Sequence, residues 1–290
     1  MSIPERSDSV GGDTTSWDGE PVPVLRGLWQ VPFLEVFRTI GSTNDRAREL
    51  KLYGRPDGSL VIADEQTSGR GREGRKWYSA VDGGIWMSWI APPLPDRSTG
   101  STLPLLVGLA VAEAIEAECP GVDIGVKWPN DLLIDGKKCA GILCERAGDR
   151  VVVGIGINVR PFDADVAGSL PDATSLEDAG GMRVSRTLLV GRILSRLDRW
   201  VTAESPDRSE LAARELRRRD VLLGREVTVG GGGQIVEGVA RGIDADGALE
   251  LQRPDGSIRR VWAGSVRIDR RKLADQQDLP GDDGNEAGER

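Results

Sequence analysis

GRGREGRKW, residues 69–77, decides how the fold is read. Its first six letters satisfy G-x-G-x-x-G, the fingerprint of a dinucleotide-binding turn. Such a turn needs a strand before it and a helix directly after it, because the helix N-terminus holds the pyrophosphate. LVIADEQ, 60–66, supplies the strand. RKWYSAVDGGIWMSW, 75–89, supplies no helix: it carries Gly83-Gly84 and a β-rich run. Arg70, Arg72, Arg75 and Lys76 also make the segment far more cationic than a turn that works through backbone N–H groups. The physics favours a glycine-rich loop instead. Gly69 and Gly71 let the backbone fold closely over a ligand, and the guanidiniums hold phosphate or carboxylate oxygens. Four adjacent cations repel, so an anion orders the loop. Two alternatives stand beside this: a solvated basic turn in an Arg-rich chain, and a loop for single-stranded nucleic acid with Trp77 stacking on bases.

Working outward, residues 1–22 are rich in Ser, Asp, Gly and Pro and read as a disordered lead. STNDRARELKLY, 42–53, reads as a helix with Ser42 or Thr43 as N-cap. GGIWMSWIAPP, 83–93, reads as a strand. Residues 101–118 have apolar side chains at helical spacing and read as a helix with one buried face. DIGVKWPNDLLIDGKKCAGILCER, 123–146, alternates strand and turn, with Pro129 ending one strand and Asp135-Gly136 making a hairpin turn. DRVVVGIGINV, 149–159, is the next strand. Helices follow over roughly 185–203 and 208–219, then five short strand-like runs that suggest a small barrel. Hairpins grouped between long helices favour an α+β class with a mixed sheet over a doubly wound one. The expected organisation is a lead at 1–22, a catalytic domain at 23–220, a barrel at 221–271 and a disordered acidic tail at 272–290.

The 290 residues contain no histidine. Every Ser-His and Cys-His scheme is excluded, and proton transfer falls to Asp, Glu, Lys, Tyr or the substrates themselves. Net charge is −8, and the tail contributes much of it, with Asp275, Asp278, Asp282, Asp283, Glu286 and Glu289 against Arg290. An acidic chain argues against general nucleic-acid binding. Cys119, Cys139 and Cys144 have no metal-ligand spacing and read as reduced thiols of a cytoplasmic protein. No apolar run is long enough to span a membrane. Only six of the 38 bases are lysines, and Lys76, Lys127, Lys137 and Lys138 all fall in the motif segments.

Those segments are STN at 42–44, GRGREGRKW at 69–77, KWPND at 127–131 and KKCAGIL at 137–143, followed by a strand ending at Asn158. In this order and spacing they resemble biotin–protein ligases over about residues 40–160, and a small barrel beyond 220 agrees. The resemblance implies a fold similar to class II aminoacyl-tRNA synthetases and biotin–lipoate ligases, with an SH3-like C-terminal barrel. It implies that biotin and MgATP give biotinyl-5′-AMP, whose acyl group passes to a lysine of a biotin carboxyl carrier domain in a biotin-dependent carboxylase. Such chemistry suits a chain without histidine, since the substrate's own carboxylate is the nucleophile.

Mapped by motif, the resemblance places Ser42, Thr43, Asn44 and Gln66 on biotin's ureido end, and Gly69, Arg70, Gly71 and Arg72 over carboxylate and phosphate. Arg72, Arg75, Lys76, Trp77, Asn130, Lys138 and Asn158 fall to ATP or the adenylate, with Trp77 stacking on adenine. Lys138 lies between carboxylate and α-phosphate, Gly141 allows close approach, and Lys138, Arg72 and Asp131 are the catalytic candidates. Asp131 is either a base for the acceptor lysine or a Mg²⁺ partner; the metal ligands stay open. Many bacterial relatives carry an N-terminal DNA-binding winged helix. Only about 40 residues precede STN, so no DNA binding is expected. A lipoate–protein ligase is the nearest enzymatic alternative, and a nucleotide- or RNA-binding module the non-enzymatic one.

Overall fold

The computed structural model describes residues 10–94, 101–203, 207–231 and 233–268. The tail expected at 272–290 lies outside the described residues, as do residues 1–9. The main sheet has eight strands: β1 (Val10–Gly12), β4 (Leu34–Ile40), β5 (Leu60–Gln66), β6 (Gly84–Ile90), β7 (Gly125–Lys127), β8 (Asp131–Ile134), β9 (Lys137–Ala147) and β10 (Arg150–Asn158), in the order β1-β4-β5-β6-β10-β9-β8-β7. β1, β4 and β5 run parallel, and every later pairing is antiparallel. This is a mixed sheet in an α+β fold, and GRGREG enters no βα crossover: residues 72–74 form one 3₁₀ turn and the chain runs on into β6.

The lead departs from expectation. Residues 10–12 add an edge strand beside β4. β2 (Ser16–Trp17) and β3 (Glu20–Pro21) form a small hairpin, and α1 (Val22–Trp29) follows at once. The polar composition of residues 1–22 hid a buried anchor, Trp17. Its ring is fully buried, edge-on to Trp29 at 5.7 Å and beneath the Arg186 guanidinium at 4.6 Å. One buried indole contributes a few kcal/mol, about 1.5–3 by its area, and Asp18 adds a 2.9 Å ion pair to Arg186.

α2 (Thr43–Leu52) lies on one face of the sheet, with Ala47 and Leu50 against Val61, Ile90 and Val152. α3 (Leu103–Glu118) lies on the other face. Residues 105–112 of α3 are all buried, not one stripe of them. Its Leu, Val, Ala and Gly residues are apolar all round because the sheet covers one side and α6 (Arg186–Leu197) and α7 (Arg208–Arg219) cover the rest. Between β10 and α6 run two short helices, α4 (Ala164–Ser169) and α5 (Leu176–Gly180), and α6 ends in a π turn at Asp198–Thr202.

β11 (Glu226–Gly231), β12 (Gln234–Ile243), β13 (Leu249–Gln252), β14 (Ile258–Val261) and β15 (Ser265–Ile268) form a second, antiparallel sheet in the order β14-β13-β12-β11-β15, with a bulge between Ala240 and Gly242. Trp128, fully buried between β7 and β8, donates its indole N–H to Gly247 O at 3.0 Å and ties the two sheets together.

Candidate active site

A cavity of about 160 Å³ opens on the α2 face, over the antiparallel half of the main sheet. Its floor is bare backbone. Gly141 pairs with Gly156 across β9 and β10, and Gly154 sits two residues further along β10. A Cβ on Gly156 would stand 2.7 Å from the Trp77 ring, one on Gly141 3.0 Å from it, and one on Gly154 2.3 Å from Asn44 Oδ1. These glycines therefore let an indole and an amide lie flat on the sheet.

One end of the cavity is neutral and polar. Ser42, Thr43 and Asn44 are buried at the start of α2. Gln66 Oε1 accepts from Thr43 N–H at 2.9 Å and from the Thr43 hydroxyl at 3.1 Å, satisfying one of the orphan donors of the helix start. Ser42 is the N-cap, but its side chain makes no capping bond. Gln66 Nε2 donates to Ser79 Oγ at 3.0 Å. The Ser88 hydroxyl, wholly buried beneath, lies 2.8 Å from that of Thr43 and donates to Asn44 Oδ1 at 2.5 Å. Asn44 Nδ2 donates to Glu145 Oε2 at 2.8 Å.

The other end is cationic. Lys138 Nζ is 2.5 Å from Asp131 Oδ1 and 5.1 Å from the Trp77 ring centroid. Arg72 is half-buried. Its Nη1 reaches Asn130 Oδ1 at 3.4 Å and Gly264 O at 3.3 Å, and no ion pair joins it to a carboxylate among the described residues. Burial pulls its pKa down from the usual arginine value. Such a cation, poorly solvated and without a counter-ion, is primed for an anion. Arg75 donates to Ser265 Oγ at 2.6 Å, so the second sheet braces the loop. Asp131 is the only acidic side chain lining the cavity among the described residues.

Of the residues singled out from sequence, Ser42, Thr43, Asn44, Gln66, Arg70, Gly71, Arg72, Arg75, Lys76, Trp77, Asn130, Asp131, Lys138 and Gly141 line this cavity. Two do not. Gly69 sits at the base of the loop, where a Cβ would meet Trp77 O at 2.7 Å, so its smallness serves the hairpin. Asn158 is buried and donates to Thr174 O at 3.1 Å, pinning the end of β10 to the following segment. Arg70 borders the cavity but is spent on Asp45, at 2.5 and 2.7 Å. Gly154, Gly156 and Ser88 were missed. GIGIN carried the signal: glycines two apart on one strand bare the same face. Ser88 is an isolated serine in an aromatic strand and gave none.

Residues 36–161 match the Biotin/lipoate A/B protein ligase family, the class that this fold and cavity define, and residues 222–268 match the Biotin protein ligase C terminal domain. Over 245 residues the chain is 37% identical to the bifunctional ligase/repressor BirA of Bacillus spizizenii, covering 79% of this chain and 72% of that one. It is 38% identical over 239 residues to the biotin–acetyl-CoA-carboxylase ligase of Mycobacterium tuberculosis, covering 80% and 88%. The solved structure of a biotin protein ligase from Aquifex aeolicus in complex with biotin and ATP superposes with a TM-score of 0.68 at 30% identity, covering 81% of this chain and 98% of that one. The chain belongs to the biotin protein ligase family. It is an enzyme of the ligase class, an α+β mixed-sheet domain with an SH3-like C-terminal domain. No helix among the described residues is long and apolar enough to cross a membrane.

Proposed function

We propose that this chain is an ATP-dependent biotin–protein ligase. Biotin's carboxylate oxygen attacks the α-phosphorus of MgATP, the bond to the leaving pyrophosphate breaks, and biotinyl-5′-AMP forms. The amine of one lysine on a biotin carboxyl carrier domain of a carboxylase then attacks the acyl carbon, and AMP leaves. The carrying observation is the polarity of one cavity: neutral donors and acceptors at Ser42, Thr43, Asn44 and Gln66, cations at Arg72 and Lys138. A cyclic urea with a carboxylate at the end of an alkyl chain matches both ends.

In this assignment Lys138 and Arg72 gather carboxylate and α-phosphate, which otherwise repel, and offset the charge that grows on the phosphoryl group. Mg²⁺ enters with ATP as part of the substrate. Asp131, released from Lys138 when the anions arrive, takes the proton of the acceptor lysine or faces the metal. Trp77, Asn130 and Arg75 are assigned to the nucleotide.

A lipoyl dithiolane offers no strong donor or acceptor to the polar end of the cavity, whereas a cyclic urea offers both; this favours biotin. A nucleic-acid track would need free cations, yet Arg70, Lys138 and Arg75 are paired with Asp45, Asp131 and Glu73. Three unpaired thiols fit work in a reducing cytoplasm. The test is to mix the purified chain with biotin, MgATP and a carrier domain, and to follow the carrier by mass. A biotin adduct on one lysine, absent when that lysine is arginine, is the expected result. No adduct refutes the assignment.

A further inference from the structure

We propose that Asp45 and Glu145 are a latch for the glycine-rich loop, positioning residues that hold Arg70 and thereby set where Arg72 and Trp77 stand over the cavity. The latch goes beyond the assignment of substrates and rests on it only for what the loop closes upon.

Asp45 follows Asn44 directly in the first turn of α2. Arg70 grips it with both terminal nitrogens, at 2.5 and 2.7 Å, and Nη2 lies 3.6 Å from Glu145 Oε2. That same Glu145 oxygen accepts from Asn44 Nδ2. One carboxylate on β9 therefore touches both a side chain of the cavity and the arginine of the loop. The loop behaves as a unit: Arg70 bridges Lys76, Gly71 N–H donates to Arg75 O at 2.7 Å, and Trp77 N–H donates to Gly69 O at 2.9 Å. Whatever fixes Arg70 fixes the hairpin. The bidentate pair is directional as well as attractive, which suits positioning.

The two arginines consequently do different work. Arg70 has its charge met by Asp45 and Glu145. Arg72 is half-buried, with an amide oxygen and a peptide carbonyl as its acceptors. The arginine of the first G-R-G step aims the loop, and the next one meets the anion.

Arg70, Arg72, Arg75 and Lys76 make the loop a run of tryptic sites, which gives a direct test on the full chain. Limited trypsinolysis without ligands, mapped by mass, compares wild type with Asp45→Ala, Asp45→Glu and Glu145→Gln. Asp45→Ala is expected to be cut within 70–76 roughly three- to tenfold faster, the range for losing a part-exposed charge-assisted pair. Cutting elsewhere and thermal stability stay close to wild type. Asp45→Glu restores most of the protection, and Glu145→Gln loses part of it. Dissociation of biotinyl-5′-AMP from Asp45→Ala quickens by a similar factor. Wild-type cutting of the loop in both Asp45→Ala and Glu145→Gln overturns the latch. So does equal acceleration at sites throughout the chain, which marks Asp45 as a helix-start charge that stabilises the fold generally. The ligand-free cleavage stands apart from the substrate assignment: an inactive enzyme with a normal latch, or an active one with none, tells which has failed.

Discussion

Lys138 Nζ stands 2.5 Å from Asp131 Oδ1, across the ladder between β8 and β9 and facing one cavity. The pair keeps the ammonium aimed while no substrate is bound. Replacing Lys138 by alanine removes the cation and leaves the carboxylate to repel incoming anions. Biotin-dependent pyrophosphate release by Lys138→Ala should fall by at least about a hundredfold, as when one transition-state charge stabiliser is lost. Its melting temperature should stay within a few degrees of wild type, since both side chains are part-exposed. Near-normal release would remove Lys138 from the chemistry.

Among the described residues Arg72 has no carboxylate partner to lose, so Arg72→Ala should cost the fold little. Affinity for biotinyl-5′-AMP should drop by about 2–4 kcal/mol, the cost of truncating one partner of a desolvated charge pair. Arg72→Lys recovers little of it, because a point charge cannot replace a planar fork. Isothermal titration with the adenylate, beside a melting curve, checks both halves. Unchanged affinity with a lower melting temperature would mean Arg72 is only a strut between Asn130 and Gly264.

Gly156→Ala tests the bare floor. Its new Cβ would stand 2.7 Å from the Trp77 ring, closer than real contacts allow, so the indole must lift. The expected outcome is weaker nucleotide binding and altered tryptophan emission with the sheet intact. Wild-type affinity for ATP would show that Trp77 is not part of that site.

Asp64 belongs to β5, two residues before Gln66, and lies 3.6 Å from Arg186 of α6. Burial first, and then the neighbouring charge of Asp82, push its pKa from 3.8 up to about 6, with Arg186 pulling the other way. Because the folded value is the higher one, the native state holds this proton more tightly than the unfolded chain does. The group's stabilisation is therefore complete below about pH 4 and is lost as pH rises through about 6. Asp64→Asn should remove that loss, so the melting temperature of the variant minus that of wild type should grow from pH 4 to pH 7. A difference that shrinks with rising pH contradicts the assignment.

Much of the site was legible because its residues come in short runs whose chemistry is dense. STN opens α2, GRGREGRKW is the loop after β5, and KWPND and KKCAGIL lie on the adjoining strands β7, β8 and β9, so within each run neighbours in sequence stay neighbours in space. What escaped was what depends on partners distant in the chain. Arg70 is paired with Asp45, 25 residues away, a contact that nothing in GRGREG announces. Asn158 lies outside the cavity lining and donates to Thr174 O, a partner that its own strand does not reveal. Gly69 served its own hairpin. The ordered part of the lead rested on a buried indole, invisible to composition. The all-round burial of α3 depended on α6 and α7, elements that composition cannot bring together.

The central claim is that this cavity makes a biotinyl adenylate before any carrier is present. Rapid-quench measurement of pyrophosphate from the purified chain with MgATP and excess biotin, no carrier domain added, tests it most directly. The account predicts a burst of about one pyrophosphate per chain as the adenylate accumulates, with lipoate giving at most a small fraction of it. No burst with biotin, or an equal burst with lipoate, would contradict it.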